Sequence, residues 1–431
     1  MKANLAFGKS NLSFDLPDRF RYLTLDARSA EPLADARKQL CSALEAPIGS
    51  PALKDLARGK KSAAISVCDI TRPAPNPQSL PPLLHCLEQA GIPRDAITIL
   101  IATGLHRPAT ESEIREICGP EIASRYRVVN HQARDLAAHR YLGNTTSGTP
   151  IYIDERFISA DLHITLGLIE PHLMAGFSGG RKLVAPGLAA QETIKVLHSP
   201  RFIREPRSAE GFIEDNALHR ELLEIARIAR HDFLLDVVLT RDRAIAGIFA
   251  GDPVEAHRQG AAFVSRVLLE QIEEPLDGVI TSAAGYPLDL TFYQAIKGIT
   301  AASHVVKPGG QILLVAACEE GAGAPEFREM LRSYPSDRAF MDAILRAPVT
   351  VDQWQLEKLG LVTSDHRVSF FVPGLPAEYW SSLWGPAFHT FPEALNAFLT
   401  NMPDGAAIGI IPDGPYVLAK TMSQSASLTA G

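Results

Sequence analysis

Short apolar runs of strand length, separated by helical patterns, constrain the fold of this chain more than any other feature. Four of them lie in the first 240 residues: Ser62–Val67, Ala96–Ala102, Leu162–Leu166 and Phe233–Leu239. The segment Ser79–Ala90, between the first two, has the pattern of a helix with early prolines. Continuous apolar strands that alternate with helices are typical of a parallel sheet covered on both faces. The sequence therefore predicts an α/β fold whose ligands bind beyond the carboxyl ends of the strands.

A second series of such runs follows an acidic stretch near residue 272. Its members are Gly278–Ser282, Gln311–Ala316, Val368–Val372 and Ile408–Ile411. The chain has 431 residues, whereas a single hydrophobic core usually stops growing at about 250–300 residues. We therefore expect two domains, residues 1–271 and 272–431, with parallel or mixed sheets flanked by helices. A helical pattern over Val254–Ile272 predicts that a helix, and not a flexible tether, joins them.

Charge and cysteine content narrow the class of protein. The formal net charge is −7, which gives no electrostatic reason to bind nucleic acid or an acidic membrane. No segment approaches the roughly 18 apolar residues needed to span a bilayer, and the N-terminal segment lacks the apolar core of a signal peptide. Five cysteines without a CxxC pair indicate neither a disulfide framework nor a structural zinc site. We expect a cytoplasmic protein that acts on small molecules.

Ionisable residues follow the first two apolar runs. Asp69 and Arg72 lie in CDITRPAPNPQ, where the planar guanidinium suits a carboxylate or phosphate. A strand-end turn with a capping Asp explains the same segment equally well. His106 lies in IATGLHRP, and although a lone histidine is more often structural than catalytic, its position after a strand favours a functional role.

The segment Gly167–Ala185, GLIEPHLMAGFSGGRKLVA, is the most informative in the chain. Its glycine-rich part can bring backbone N–H groups close to an anion, and Lys182 adds positive charge. It is not a P-loop, because GxxxxGK[ST] is absent. A tight turn before a helix would explain the glycines, but it does not explain why Glu170, His172, Arg181 and Lys182 crowd one stretch. A functional site is therefore favoured here.

Two later segments allow both a structural and a functional interpretation. GYPLDLTFYQAIKG places Tyr293, Gln294 and Lys297 at the start of an amphipathic helix, where they would supply hydrogen-bond donors if they lined a cleft. His198 in VLHSPRFI is either a nitrogen ligand for a transition metal or a helix-end histidine. HExxH, GxSxG and GxGxxG are absent, which disfavours zincins, α/β-hydrolases and ordinary nicotinamide enzymes.

Taken in order, these segments closely resemble the nickel-dependent lactate racemase family. The similarity rests on DITRPAPN, ATGLHRP, IEPHLMAGFSGGRK, LHS, GYPLDLTFYQAIKG and DQW, of which AGFSGGRK is the most distinctive. The resemblance implies an isomerase, a racemase or epimerase that inverts C2 of a 2-hydroxy acid by proton-coupled hydride transfer. It also implies a nickel-pincer nucleotide (nickel pyridinium-3,5-bisthiocarboxylic acid mononucleotide), cofactor-biosynthesis proteins as partners, and an active site in the cleft between two domains.

The resemblance also assigns roles to individual residues. By position, Lys182 carries the cofactor, His198 supplies a ligand to nickel, His106 and His172 are the catalytic histidines, and Arg72 orients the substrate. Other positions match residues that line the family's site, namely Asp69, Thr71, Ser178, Gly179 and Gly180 around the cofactor and Tyr293, Gln294, Lys297 and Trp354 around the substrate.

The substrate and two rival functions stay open at this point. Family members that act on lactate often have histidine where this chain has Ile70, and Met174 follows the second histidine closely, so the pocket can differ in shape or polarity. Lactate, malate, longer hydroxy acids and sugar acids such as gluconate are all candidates. The rivals are a zinc-dependent hydrolase that uses the histidines with Asp69, and a non-catalytic module that binds a phosphate ligand on the SGGRK loop.

Overall fold

Two α/β units are built from this chain, and neither is one continuous segment. The computed structural model describes residues 1–400 and 402–422. The first unit comprises Ser29–Leu197 and Arg207–Val267, and the second comprises Met1–Arg28, His198–Pro206 and Leu268–Gly431. The main sheet is mixed in the first unit and parallel in the second, and helices flank both, which confirms the predicted fold class.

The first unit is organised around a six-stranded mixed sheet. In spatial order its strands are Ile245–Gly251, Phe233–Leu239, Leu162–Leu168, Ala63–Cys68, Ile97–Ala102 and Arg127–Asn130. All neighbours pair in parallel except the first two, which are antiparallel. Every residue of the two middle strands is buried, as expected for a parallel sheet covered on both faces. The four strands predicted in this part of the sequence are therefore present.

Helices and two small hairpins complete the first unit. The helix predicted at Ser79–Ala90 is Asn76–Gln89; it begins earlier because proline is tolerated in the first turn, where its missing N–H is not needed. The hairpins pair His139–Asn144 with Pro150–Asp154 and Pro171–His172 with Gly176–Phe177. The other helices are Ala36–Glu45, Leu53–Ala57, Glu111–Cys118, Pro120–Arg125, Glu155–Ile158, Arg181–Val184, Gln191–Leu197, Ala217–Ile228 and Glu255–Leu268.

The second unit contains a five-stranded parallel sheet. In spatial order its strands are Arg367–Phe371, Val306–Val315, Leu276–Ser282, Ala407–Ile411 and Arg21–Thr24. Two further pairs are the hairpin Lys2–Phe7 with Ser10–Asp15 and the parallel pair Leu269–Ile272 with Leu418–Thr421. The helices are Pro200–Ile203, Phe292–Ser303, Pro325–Ser333, Asp337–Ala343, Gln353–Asp365 and Phe391–Thr400.

The two units differ from the expected division at residue 272. The N-terminal strand Arg21–Thr24 extends the second unit's sheet by pairing with Ala407–Ile411. Residues 198–206 also belong to that unit, where Arg204 Nε lies 2.7 Å from a carboxylate oxygen of the buried Glu357. The helix predicted over Val254–Ile272 was too long, because it ends at Leu268 and the following residues form a strand. A single boundary in the sequence cannot describe units that are assembled from segments so far apart in the chain.

Two predictions from composition can be compared with the structure. No helix among the described residues is long and apolar enough to cross a membrane. The five cysteines are free thiols, and three of them, Cys68, Cys118 and Cys318, are buried.

Candidate active site

Three neighbouring parallel strands of the first unit end at the same edge of its sheet. Strand Ala63–Cys68 lies between Ile97–Ala102 and Leu162–Leu168, with Cys68 opposite Ala102 and Val67 opposite Leu166. The loops that follow these strands carry the residues singled out in the sequence. This edge gathers ionisable side chains from segments 69–72, 103–107 and 169–182, as expected at the carboxyl ends of parallel strands.

Asp69 fixes the orientation of the exposed His106 ring. The Nδ1 atom of His106 lies 2.7 Å from Asp69 Oδ2, and the Thr71 hydroxyl donates to Asp69 Oδ1 at 2.6 Å. Burial alone would raise the pKa of Asp69, but the hydrogen bonds and charge of His106, with Thr71 and Arg72, lower it below the ordinary value. Because an ionised carboxylate accepts hydrogen bonds only, neutral His106 carries its proton on Nδ1. Its Nε2 is then a proton acceptor.

His172 is held in the opposite tautomer. It lies in the small hairpin of Pro171–His172 with Gly176–Phe177. The backbone N–H groups of Met174 and Ala175 point at its Nδ1, at 3.3 and 3.2 Å. A nitrogen that accepts hydrogen bonds carries no proton, so a neutral ring has its proton on Nε2. In their neutral forms, Nε2 of His106 is therefore a proton acceptor, whereas Nε2 of His172 carries a proton.

Arg72 forms an ion pair with Glu170 at this edge. Arg72 Nε lies 3.3 Å from Glu170 Oε1, and each side chain is about one-third exposed. Arg72 Nη1 donates to the backbone oxygen of Thr71 at 3.2 Å. The ion pair with Glu170 engages Nε and the Thr71 contact engages Nη1, which leaves further N–H donors of the guanidinium for an anion. Such a fork is suited to binding a carboxylate through two hydrogen bonds.

The glycine-rich loop has a compact shape that only glycine allows at two positions. Gly176 has φ +75°, and a Cβ built there would lie 2.0 Å from the Phe212 oxygen. Gly179 has φ +81°, and its Cβ would lie 2.2 Å from Asp236 Oδ2. Ser178 closes the base of the loop, because its hydroxyl donates to the Leu168 oxygen at 2.8 Å and accepts from the Glu170 N–H at 2.9 Å.

Lys182 follows this loop in the short helix Arg181–Val184. Burial, assisted by the charges of Arg72 and Arg181, lowers the pKa of Lys182 to about 7, although Glu170 and Cys68 act in the opposite direction. An amine with the ordinary pKa of 10.5 would be neutral in only about 1 molecule in 3,000 at pH 7. With the pKa lowered to about 7, a much larger fraction of the molecules carries a neutral amine, and a neutral amine is a nucleophile.

The remaining predicted site residues belong to the second unit, and the structure gives their surroundings there. The rings of His198 and Trp354 pack against each other with centroids 4.4 Å apart, and Trp354 is buried. Tyr293, Gln294 and Lys297 lie in the first two turns of helix Phe292–Ser303. The Tyr293 ring meets Phe327 edge to face at 5.2 Å, and the buried side-chain oxygen of Gln294 has no hydrogen-bond partner among the described residues.

Two residues at this edge were not assigned roles from the sequence. Glu170, which pairs with Arg72, follows its strand directly in the segment IEPH. Asp236 lies fully buried inside the strand Phe233–Leu239, beneath Gly179, and burial raises its pKa to about 7. A carboxylate in the middle of the apolar run FLLDVVL was a visible signal, because a buried charge of this kind needs a reason.

The rival function of a zinc-dependent hydrolase requires a cluster of metal-binding side chains. Within residues 1–400 and 402–422, no group of three or more His, Cys, Asp or Glu side chains could hold a metal ion. Zinc sites in hydrolases are built from three such protein ligands.

The fold and this cluster define an α/β enzyme with acid–base groups at the carboxyl edge of a parallel sheet. Two family models match the chain, described as the lactate racemase N-terminal domain over residues 7–211 and the lactate racemase C-terminal domain over residues 272–419. A protein named lactate racemase from Thermoanaerobacterium thermosaccharolyticum is 34% identical over 96% of this chain and 98% of its own length. Another of that name, from Lactiplantibacillus plantarum, is 36% identical over 88% and 89%.

Solved structures agree with these matches. The lactate racemase apoprotein from T. thermosaccharolyticum superposes with a TM-score of 0.91, covering 97% of this chain and 100% of that one at 34% identity. A protein from Thermotoga maritima shares the fold at a TM-score of 0.67 and 17% identity, over 91% of this chain and 99% of that one. The chain belongs to the lactate racemase family, and it is an isomerase.

The lowered pKa of Lys182 predicts an unusual pH dependence for its chemical modification. The ammonium form dominates below pH 7 and does not react, so acylation of Lys182 in the full chain should rise through a midpoint near pH 7 and level off above about pH 8. Peptide mass spectrometry after brief exposure to an acylating reagent gives this profile, with the exposed Lys54 as internal reference. A Lys182 rate that still climbs above pH 9 would contradict the lowered pKa.

Proposed function

We propose that this chain inverts C2 of a small 2-hydroxy acid, lactate first among the candidates, with a nickel-pincer nucleotide anchored on Lys182. The observation that carries the proposal is the juxtaposition of Asp69, His106, Arg72 and Lys182 at one sheet edge. Two relatives that cover most of the chain are named lactate racemase, which supports lactate as the first substrate to test.

The chemistry of the substrate favours hydride transfer over carbanion formation. Removing the C2 hydrogen as a proton would place negative charge beside a carboxylate, which makes that hydrogen poorly acidic. The nickel-pincer nucleotide, when bound, supplies a hydride acceptor. The protein then has to bind the carboxylate, move the hydroxyl proton, and present both faces of the bound 2-keto acid.

The described residues can perform each of these tasks. The Nη side of Arg72 binds the substrate carboxylate, because Glu170 occupies the Nε side. His106 Nε2 accepts the C2 hydroxyl proton, and the ionised Asp69 stabilises the imidazolium that results. His172 serves the second proton transfer, on the other face of C2. Imidazole has a pKa suited to giving and taking a proton near neutrality.

The residues proposed to hold the cofactor fit it chemically. The neutral amine of Lys182 is the form that can become acylated, and Gly179 and Gly180 come just before Arg181 and Lys182 in the chain. The imidazole of His198 is a nitrogen donor of the kind that Ni(II) accepts. Together with Asp69, Thr71, Ser178, Gly179 and Gly180, these are the proposed cofactor residues, while Tyr293, Gln294, Lys297 and Trp354 are proposed to contact the substrate.

We also propose that the chain depends on cofactor-biosynthesis proteins and acts in the cytoplasm. Assembly of the nucleotide requires separate cofactor-biosynthesis proteins, so a chain produced without them is expected to be inactive. A reducing cytoplasm suits five unpaired thiols.

The direct test is racemisation by the loaded enzyme. The chain is co-expressed with nickel-pincer biosynthesis proteins, and D-lactate and L-lactate are supplied separately. Each should convert to an equal mixture of the two. Malate, longer hydroxy acids and gluconate are screened in parallel, because Ile70 and Met174 can give the pocket a different shape or polarity from that of lactate-acting family members. Loaded enzyme that inverts none of these acids would refute the proposal.

Removing either proposed catalytic histidine should abolish inversion in both directions. His106→Gln and His172→Gln should each lower the rate by at least the roughly 10²–10⁴-fold typical of general acid–base groups, starting from either enantiomer. Equal loss in both directions is required, because a catalyst cannot change the equilibrium constant. Polarimetry from each pure enantiomer measures this, and the exposed His85→Gln is the control. Near wild-type rates in either variant would remove that histidine from the mechanism.

Lys182 and His198 should fail in different ways. Lys182→Ala should lose covalent retention of the nucleotide and its nickel, because the anchor is gone. His198→Ala should keep the organic adduct and bind nickel more weakly, because only one ligand is lost. Intact-protein mass spectrometry with metal analysis separates the two defects, and Lys54→Ala serves as the control. If both variants lost adduct and nickel to the same degree, the assigned roles would be wrong.

A further inference from the structure

Arg181 is a fully buried arginine whose hydrogen bonds converge on the glycine-rich loop. Its side chain is among the largest fully buried ones in the described part of the chain, with 1% exposure. Its Nη2 donates to the backbone oxygens of Ala175 at 2.8 Å and Phe177 at 3.0 Å. Its Nη1 approaches those of Ser178 at 3.4 Å and Gly179 at 3.3 Å. One guanidinium thus gathers four carbonyl groups from five consecutive residues.

The positive charge of Arg181 is not neutralised by a hydrogen-bonded carboxylate in the described part of the chain. His257 Nε2 lies 2.6 Å from Arg181 Nη1 and 2.8 Å from the Ser178 oxygen, so the ring packs against both the guanidinium and the loop. Burial and the charge of Arg181 hold the pKa of His257 well below its ordinary value, so this ring stays neutral. Asp236, the acid that interacts with Arg181 through its charge, has a pKa raised by burial. The loop carbonyl dipoles therefore carry much of the stabilisation of the cation.

The loop turns its carbonyl groups inward at a steric cost that only glycine tolerates. Gly176 and Gly179 adopt positive φ and pack against the Phe212 oxygen and Asp236, where a Cβ would clash. Lys182 is the next residue after Arg181, and its backbone N–H donates to the Gly179 oxygen at 3.1 Å. The position of Lys182 therefore depends on the conformation of residues 175–179, which Arg181 holds through its hydrogen bonds.

We propose that Arg181 is a positioning residue, whose buried guanidinium holds the carbonyl groups of residues 175–179 so that the loop presents the Lys182 amine at the sheet edge. This rests on the proposed function only for the use of Lys182 as an anchor. The groups that face the Lys182 amine electrostatically are Arg72, Arg181, Glu170 and Cys68, so a change of loop shape alters its surroundings and its protonation. An arginine that acted on Lys182 through its charge alone would leave that protonation unchanged when a lysine keeps the charge at this position, so the charge-conserving variant separates the two roles.

The test follows the pH midpoint of Lys182 acylation in the full chain, without cofactor. Arg181→Met removes the donors and the charge, and it should move the midpoint upward by about one pH unit or more, because the loop opens to water and a neighbouring cation is lost. Arg181→Lys keeps the charge but has three donors for four carbonyl groups, so its midpoint should fall between those of the wild type and Arg181→Met.

A control is provided by Arg156, a partly buried arginine of the first unit. Its hydrogen bonds go to Asp154 and to the Asn130 oxygen. Arg156→Met should lower the melting temperature and leave the Lys182 midpoint in place. A shift of the midpoint in Arg156→Met equal to that in Arg181→Met would overturn the proposal, because the effect would then be general destabilisation.

The remaining outcomes are also decisive. An unchanged midpoint in folded Arg181→Met, checked by circular dichroism, would overturn the proposal. Arg181→Lys decides between position and charge, and a wild-type midpoint in it would overturn the proposal even if Arg181→Met shifts, because loss of charge alone would then explain that shift. The labelling needs neither nickel nor substrate. A shifted midpoint together with an inactive loaded wild-type enzyme would therefore support the role of Arg181 and refute the proposed function.

Discussion

The arrangement of this site depends on three adjacent parallel strands that end at one edge of a buried sheet. Because the strands Ala63–Cys68 and Leu162–Leu168 are covered on both faces, their interiors are mostly apolar, and Ser66, His163 and Thr165 are their polar residues. The ionisable groups of the candidate site lie mainly where the strands end and water or a ligand can reach them, whereas Asp236 is buried inside a strand. Parallel pairing then brings together loops that are distant in sequence, so Asp69 meets His106 and Arg72 meets Glu170.

Excess positive charge is the second constraint. Arg72 and Arg181 lie close enough to Lys182 to influence its protonation, and Glu170 offsets them only in part. An arginine side chain keeps its proton at neutral pH, whereas a lysine can lose its proton when it is buried. Lys182 is therefore the group that becomes neutral. The positive charges that favour a neutral, reactive Lys182 also favour the binding of an anion at Arg72. One cluster of charges therefore serves both the proposed cofactor anchor and the proposed substrate-binding arginine.

The sequence predicted the sheets well where strands are short, apolar and buried. Phe233–Leu239 was predicted at its observed bounds, and Ala63–Cys68 within one residue, because continuous apolar runs between helices have few other structures open to them. The edge strand Arg21–Thr24 was not predicted. Its residues RYLT are mostly exposed, and its pairing partner lies almost 400 residues away.

Some features of the candidate site could likewise be predicted from the sequence, and others could not. Loop positions after strands indicated that Asp69, Arg72, His106 and Lys182 would meet at one edge, and the first unit places them there. The pairing of Arg72 with Glu170 and the inward carbonyl groups around Arg181 depend on loop conformation, which no periodic pattern encodes. The roles assigned to His198, Tyr293, Gln294, Lys297 and Trp354 come from the family resemblance and stay predictions.

We propose that inversion proceeds by hydride transfer and that the histidines transfer only the hydroxyl proton. Enzyme loaded with cofactor is supplied with L-lactate that carries deuterium at C2, in ordinary water, and the deuterium content of the D-lactate formed is measured by mass spectrometry. Because a transferred hydride does not exchange with solvent, the account predicts a slower reaction whose inverted product retains the deuterium at C2. Loss of deuterium to water at the rate of inversion would contradict it, because that result requires a carbanion at C2.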